Sequence, residues 1–173
     1  FKKEFHEDVK VAASISGEGK CATFVEHFTR YLIDSEVLSD FNPSFYIGKN
    51  VRSNYRVDAY VYDEFDNAMT LLIADYDGVD LNRKLTNTIA SRDFGLLSMF
   101  LKTALTTNLY KEIEMSTPCA DLVDLLRSNA KTIRQFRFII LTDATISESI
   151  KMISIPDYNG IPIEGQLWDL DRV

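Results

Sequence analysis

The sequence predicts an α/β domain in which a mixed central sheet of about five strands is flanked by helices. Two early stretches, residues 2–15 and 20–37, repeat apolar side chains at the spacing of amphipathic helices. A β-hairpin pattern follows at residues 55–77, and helical and strand patterns alternate after it. The chain of 173 residues is long enough for a substantial core. We therefore expect residues 1–173 to form one α/β domain.

The first two predicted helices are separated by a glycine-containing break at residues 16–19. The second helix has a broad apolar face, which is formed by Cys21, Phe24, Val25, Phe28, Tyr31 and Leu32. Glu26 lies off the centre of that face. Its carboxylate either reaches the edge of the sheet or faces water, and the helical spacing leaves both alternatives open.

The hairpin is the most clearly patterned part of the chain. A short strand at residues 44–47 leads through a polar loop to the first hairpin strand at residues 55–62. A turn at residues 63–67 connects it to the second strand at residues 69–77. Because side chains alternate along a strand, one face of the first strand should carry Val57, Ala59 and Val61. The second strand is apolar almost throughout, which indicates that it is covered on both faces.

The remaining elements alternate between helix and strand. The pattern predicts a helical region at residues 85–114 interrupted near 91–95, a helix at 116–129, a strand at 136–141, a short helix or irregular piece at 146–152 and a last strand at 161–170. Asp143 follows the fourth strand, where it either approaches a site at the sheet edge or is solvated. At the last strand we expect Trp168 in the core and both Asp169 and Asp171 in water.

Three carboxylates are expected at one end of the hairpin. Asp75 and Asp77 are two residues apart, so their side chains should project to the same side of the strand. If the turn closes at residues 63–67, Asp58 lies near Asp75 across the pair. A buried carboxylate needs a cation or shifts its pKa. The acids therefore either form a divalent-metal site with hard oxygen ligands or mark a solvated strand end.

A basic, polar loop precedes the hairpin and is the most cationic stretch near these acids. It contains Lys49 and Arg52, together with Arg56 at the start of the first hairpin strand. The loop either handles a phosphate or is an ordinary solvated surface loop.

The bulk composition excludes several classes of protein. The net charge of −7 argues against a domain whose main task is non-specific binding to nucleic-acid phosphates. No apolar run is long enough for a membrane helix, and the charged N-terminus has no signal-peptide core. Cys21 and Cys119 suit a reducing cytoplasm, and the two histidines form no zinc pattern. The chain lacks an initiator Met, so we expect a piece of a longer protein.

The order of helix with Glu, strand with Asp and strand with acid-x-acid resembles the PD-(D/E)XK restriction-endonuclease-like core. In that superfamily, a helix Glu, a strand Asp and a (D/E)-x-K strand gather one or two metal ions beside the scissile phosphate. The resemblance implies that Glu26, Asp58 and Asp75 bind Mg²⁺ or Mn²⁺. Asp77 occupies the lysine position and would assist catalysis. The missing cation would come from Lys84 on the following helix, or from the basic loop through Lys49 or Arg52.

Several stretches together are similar to the N-terminal region of abortive phage infection proteins of the AIPR type. They are FVEHF, VDAYVYDE with LLIADYDG, STPCADLVDLL, FRFIILTD and NGIPIEGQLWDLDR. The similarity covers about residues 20–173. It implies a bacterial cytoplasmic defence protein, with this chain as its N-terminal domain and a C-terminal domain of the same protein as a partner.

Three functions follow as hypotheses. The first is a metal-dependent nuclease domain that hydrolyses phosphodiesters of nucleic acid. The second is a catalytically inactive nuclease-like module that binds a partner protein or nucleic acid, since the motif lysine is absent. The third is a purely structural or oligomerising domain, with a homo-oligomer as one expected form. None of the three involves a membrane. The first requires Glu26, Asp58 and Asp75 to converge within about 5 Å of one another.

Overall fold

The computed structural model describes residues 1–150 and 153–173. Seven strands and five helices are assigned in this part of the chain. They are α1 (Lys2–Ser16), α2 (Lys20–Asp34), β1 (Asn42–Lys49), β2 (Asn54–Asp63), β3 (Ala68–Asp75), β4 (Lys84–Leu85), α3 (Asn87–Thr106), α4 (Leu109–Glu112), α5 (Pro118–Ser128), β5 (Gln135–Thr142), β6 (Thr145–Ile146) and β7 (Ile163–Asp169).

The central sheet has five strands in the order β1-β2-β3-β5-β7. Strands β1, β2 and β3 form an antiparallel meander, whereas β5 runs parallel to β3, and β7 runs parallel to β5. The predicted mixed five-stranded sheet with helices is therefore confirmed. Because β3, β5 and β7 are parallel, their carboxyl ends meet along one edge of the sheet.

Helices cover both faces of the sheet and enclose two apolar cores. On the first face, α1 and α2 pack Phe5, Phe24 and Phe28 against β2, β3 and β5. On the second face, α3, α4 and α5 pack Leu97, Phe100 and other residues against the same strands. Strand β3 is buried on both sides, as its continuous apolar sequence predicts. We refer to these as the α2 face and the α3 face.

The hairpin closes where the sequence predicts, but its side-chain alternation fails at one position. Val57 packs on the α3 face, whereas Ala59 and Val61 pack on the α2 face. The prediction of one shared face for these three residues is therefore wrong. The regular β2–β3 pairing begins only at Ala59, which lies opposite Leu72. The alternation breaks at Asp58. Its carboxylate accepts hydrogen bonds from the Arg56 side chain and from the Ala74 N–H.

The middle of the chain departs from the prediction in two ways. Helix α3 is continuous through residues 91–95, and the interruption lies after Thr106 instead. Its start is fixed by Thr86, whose side chain accepts a hydrogen bond from the Ile89 N–H. The short strands β4 and β6 were not expected, since two-residue strands carry no recognisable pattern. The irregular piece predicted at 146–152 includes β6, and its residues 151–152 lie outside the described residues.

Within the described residues, no helix is long and apolar enough to cross a membrane. The thiols of Cys21 and Cys119 are both free.

The Tyr55 ring lies close to the backbone of Gly48 in β1. A Cβ at Gly48 would collide with the Tyr55 ring, which stacks on Tyr46. We expect Gly48→Ala to lower the free energy of unfolding by about 1–3 kcal/mol, since the buried ring must move. Gly95 is the matched control, because a Cβ there meets nothing within 4 Å. Gly95→Ala should stabilise the protein by about 0.5–1 kcal/mol through its helix propensity. Urea unfolding measures both.

Candidate functional site

A guanidinium joins two buried carboxylates at the carboxyl edge of the sheet. Asp75 is the last residue of β3, and Asp143 follows β5. Arg83 Nη1 donates to Asp75 Oδ2 at 2.7 Å, and its Nη2 donates to Asp143 Oδ1 at 2.7 Å. The Arg83 Nη2 also donates to the Asp75 carbonyl at 3.2 Å. Charge-assisted bonds of this length are among the strong ones in proteins.

Asp143 fixes the loop that leaves β3. Its carboxylate accepts hydrogen bonds from the Gly78 N–H at 2.7 Å and the Asp77 N–H at 3.1 Å. Asp143 is only 1% exposed. Of the two alternatives that the sequence left open, it is therefore buried at the edge of the sheet and not solvated. His6 Nε2 lies 3.8 Å from Asp143 Oδ2. Burial lowers the pKa of His6, with the nearby Asp143 charge acting in the opposite direction.

Asp75 is held from the α3 face. Its Oδ2 also accepts a hydrogen bond from the Thr142 hydroxyl at 2.9 Å. Arg92 of α3 approaches Oδ1 at 3.9 Å. Asp75 thus contacts two arginines and a hydroxyl, and its side chain is about nine-tenths buried.

Asp93 is a second buried acid beside this network. Arg92 Nε donates to its Oδ1 at 3.1 Å, and Arg92 Nη2 forms an ion pair with the same oxygen at 3.1 Å. The other oxygen, Oδ2, is buried without a hydrogen-bond partner among the described residues. Burial raises the pKa of Asp93, while the charge of Arg92 acts to lower it. The Asp93 carboxyl therefore binds a proton more tightly in the folded protein than a free aspartate does.

Asp58 and Arg56 complete the ladder of hydrogen bonds where β2 departs from β3. Arg56 binds the Asp58 carboxylate through two bonds, of 3.0 Å and 2.6 Å. The Ala74 N–H donates to Asp58 Oδ2 at 2.8 Å, and Arg56 Nη2 donates to the Ala74 carbonyl at 3.2 Å. Two side chains thus satisfy the backbone groups of Ala74. Burial raises the pKa of Asp58, and Arg56 acts in the opposite direction.

The two hairpin acids lie on opposite faces of the sheet. Arg56 Nη2 is 3.6 Å from Cys21 Sγ of α2, so the Arg56–Asp58 pair lies on the α2 face. Asp75 contacts Arg92 and therefore lies on the α3 face. The residues of this part of the chain that share the α2 face with Asp58 are Ala74 and Tyr76.

Glu26 does not join either acid. It lies half-buried on α2 and forms an ion pair with Arg30 one helical turn later. Its side chain lines a surface groove between α2 and β1. The structure thus does not bring together Glu26, Asp58 and Asp75, and each of them carries an arginine.

The other predicted site residues are dispersed. Asp77 lies beyond the end of β3, where its Oδ2 accepts the N–H groups of Val79 and Asp80. Those two bonds lower the pKa of Asp77. Lys84 is exposed in β4, where it pairs with Thr145, so its predicted position on a helix is wrong.

The basic loop also faces outward. Lys49 ends β1, and Arg52 lies in the following turn, both exposed. Arg56 is the member of this stretch that reaches an acid, through its ion pair with Asp58.

The end of β7 continues the row of buried acids. Asp169 is 2% exposed, so the prediction that it faces water is wrong. Its Oδ2 accepts the Ile146 N–H at 2.8 Å, and its Oδ1 accepts the Arg172 N–H at 3.1 Å. The side chain is buried because it satisfies backbone groups of β6 and the following turn.

The donors present do not fit a magnesium ion as they stand. Among the described residues, no group of three or more His, Cys, Asp or Glu side chains is arranged to hold a metal. The hard oxygens of Asp58 and Asp75 are bound by guanidinium groups instead. The metal-ligand and catalytic roles of these acids stay predictions.

Sequence reasoning missed Arg83, Asp93 and His6. A signal for Asp93 exists in the sequence, since it falls within the apolar stripe of Ala90, Phe94 and Leu97 at helical spacing. A charged residue in such a stripe requires a buried partner. Arg83 adjoins the predicted Lys84, but nothing in the local sequence shows which of the two cations turns inward.

The Arg83 bridge can be tested by removing its charge. We expect Arg83→Met to lower the free energy of unfolding by about 3–5 kcal/mol, because two buried carboxylates lose their cation. Lys84→Met removes a neighbouring, exposed cation. Its free energy of unfolding should differ from that of the native protein by no more than about 0.5 kcal/mol. Urea unfolding measures both variants, and equal effects would contradict the bridge.

The burial of Asp93 should make the free energy of unfolding depend on pH in a specific direction. Its pKa is raised in the folded state, so the native protein binds this proton more tightly than the unfolded chain does. The resulting stability is present at low pH and lost as pH rises through the folded pKa. As pH falls from about 7 to 4, the unfolding free energy of the native protein should therefore rise relative to that of Asp93→Asn. A parallel pH dependence of the two proteins in urea unfolding would contradict this.

One sequence family matches most of the chain. The family described as "Abortive infection phage resistance protein N-terminal domain" matches residues 24–173. No curated protein and no solved structure matches the chain.

Proposed function

The chain belongs to the family of abortive infection phage resistance protein N-terminal domains, and from this membership we propose that it is a nuclease-like module that binds a partner protein and does not hydrolyse nucleic acid. The family indicates an anti-phage defence protein. The binding role and the absence of hydrolysis are our proposal.

The order of elements supports a restriction-endonuclease-like core. A helix, α2, precedes an antiparallel meander of β1, β2 and β3, and a helix, α3, leads to β5 parallel to β3. In that core, the catalytic acids come from the second and third strands of the meander. Asp58 and Asp75 occupy these two strands.

The observation that carries the proposal is the pairing of each predicted metal ligand with an arginine of the same chain. Asp58 is bound by Arg56, and Asp75 is bound by Arg83. Removing the partner of a buried charge costs about 3–5 kcal/mol, so these arginines are not easily displaced. The acids therefore act as structural groups that close the edge of the sheet.

The register of β3 adds to this support. The α2 face, which carries Asp58, presents Ala74 and Tyr76 at the positions that a (D/E)-x-K motif would need. Tyr76 stacks on Phe24 with ring centroids 4.5 Å apart, so its side chain is part of the core. A methyl group and a phenol ring cannot serve as a metal-binding carboxylate and a lysine.

Protein is the partner class that the surface favours. The net charge of −7 opposes binding to phosphates. Large apolar side chains are exposed on the two hairpins, at Ile47 (76% exposed) and Phe65 (95% exposed). A protein partner that covers these side chains would remove apolar surface from water, which favours association. The proposal includes the C-terminal part of the defence protein as one such partner and a cytoplasmic location, which the free thiols of Cys21 and Cys119 support.

Metal-dependent hydrolysis of nucleic acid is the second candidate function. It is favoured by the presence of Asp58 and Asp75 on adjacent strands of the nuclease-like meander. Mg²⁺ or Mn²⁺ held there would activate a water and neutralise the phosphate. Arg56 and Arg83 would have to release the acids, and Lys49 or Lys84 would have to supply the cation. None of these four side chains is placed for that role at present.

A cleavage assay separates the two functions. The protein is incubated with plasmid, single-stranded DNA or RNA in Mn²⁺, alongside Asp58→Ala, Asp75→Ala and the exposed-acid control Asp66→Ala. We expect no cleavage above the level of the variants, and no retention of labelled DNA or RNA at about 0.15 M salt. Cleavage that is lost in Asp58→Ala and Asp75→Ala but kept in Asp66→Ala would establish the nuclease and overturn the proposal.

A further inference from the structure

Strand β1 is an open edge of the central sheet. It pairs with β2 on one side and with no strand of the described residues on the other. The Asn50 N–H donates to the Ser53 carbonyl, and β1 pairs with β2 in register as far as Tyr46 opposite Val57. Because hydrogen-bonded pairs alternate in an antiparallel ladder, the backbone groups of Ile47 and Lys49 point outward. These N–H and C=O groups are ready to pair with another strand.

Apolar side chains accompany the open backbone groups. Phe45 is 43% exposed and Ile47 is 76% exposed. Ile47 lies opposite Arg56 in the β1–β2 pairing, and Arg56 contacts Cys21 on the α2 face. Phe45 also lines a groove of about 590 Å³ between β1 and α2, together with Ile33, Phe41 and Pro43. The edge thus offers both a hydrogen-bonding ladder and an apolar strip.

The charges at the two ends of the strand are opposite. Asp40 precedes β1, whereas Lys49 and Arg52 lie at its end and in the turn that follows, and all three are exposed. If the same strand from a second molecule runs antiparallel to β1, each acidic end faces a basic end. Parallel pairing would instead place like charges side by side. The edge is therefore self-complementary in the antiparallel orientation.

We propose that β1 pairs antiparallel with β1 of a second copy of this chain, so that two sheets join into one across a two-fold axis. In the favoured register, Phe45 of one copy lies opposite Ile47 of the other, and Asp40 lies near Arg52. The two-fold axis is perpendicular to the sheet, so both α2 helices lie on the same face. The contact is isologous and closes as a dimer.

Features of β1 limit the pairing to this short segment. The register shift between Pro43 and Tyr46 interrupts the edge, and Pro43 has no N–H to donate. The opposite edge of the sheet, β7, has exposed Glu164 and Gly165 where β1 has Phe45 and Ile47. Self-pairing through β1 therefore leads to a closed dimer and not to a fibre.

The dimer should be of moderate affinity. A contact of two short strands and four apolar side chains is at the small end of specific interfaces. The net charge of −7 on each copy also opposes association, and salt at about 0.15 M screens that repulsion. We expect a dissociation constant in the micromolar range. The proposed dimer rests on the protein-binding role proposed above. The cleavage assay measures hydrolysis alone, so its result does not decide whether the dimer forms.

Analytical ultracentrifugation over a range of protein concentrations measures the association. The native chain should form dimers, and Ile47→Lys should raise the dissociation constant by about tenfold or more. Ile47→Pro removes one outward N–H without touching the β1–β2 ladder, so it should weaken the dimer while the monomer stays folded by circular dichroism. Phe65→Lys is the matched control, because Phe65 is an apolar residue on the other hairpin and is even more exposed than Ile47. It should leave the dimer intact.

A native chain that stays monomeric at millimolar concentration would overturn the proposal. A dimer that survives both Ile47 variants would also overturn it, since the contact would then lie elsewhere. Equal weakening by Phe65→Lys would show that general apolar association, and not pairing of β1, holds the two copies together.

Discussion

The guanidinium of Arg83 binds two buried carboxylates that belong to neighbouring parallel strands. Through Asp75 and Asp143 it ties the ends of β3 and β5 together, and Asp143 in turn holds the backbone that leaves β3. The same loop leads into β4 and the start of α3. Without a cation at this point, two desolvated negative charges would lie side by side. The order of the carboxyl edge therefore depends on this one bridge.

The buried acids beside the bridge outnumber the arginines that contact them. Asp75, Asp93 and Asp143 share two arginines, Arg83 and Arg92. One buried oxygen of Asp93, Oδ2, has no hydrogen-bond partner among the described residues. Burial raises the pKa of this carboxyl, so proton uptake by Asp93 can neutralise the network without moving any arginine.

The sequence predicts the sheet and its helices well, because apolar periodicity over long segments reports burial directly. It predicts β2, β3 and the turn between them closely. It does not predict the break in alternation at Asp58, since a side chain replaces backbone hydrogen bonds there. Short pairings such as β4 with β6 depend on contacts between distant segments and leave no local pattern.

The candidate site shows a similar division. The sequence leaves open whether Asp58 and Asp75 are buried or solvated at the end of the hairpin, and the structure buries both. Whether the two carboxylates lie on the same face of the sheet depends on the strand register, because a shift of one residue moves a side chain to the opposite face. Their arginine partners come from positions two residues earlier and eight residues later, through local geometry that spacing does not fix. Sequence reasoning therefore finds the acids and cannot show whether metal or arginine neutralises them.

The occupation of these acids by arginines can be measured by adding Mn²⁺ to ¹⁵N-labelled protein and following backbone amide signals. The N–H groups of Ala74, Asp77 and Gly78 donate directly to Asp58 or Asp143, so bound Mn²⁺ would broaden them first. We expect these signals to keep the intensity of other core amides, while those of the exposed acidic turn at residues 63–66 lose intensity through weak surface binding. Selective broadening at Ala74, Asp77 and Gly78 that disappears in Asp58→Asn or Asp75→Asn would contradict the structural role of the acids.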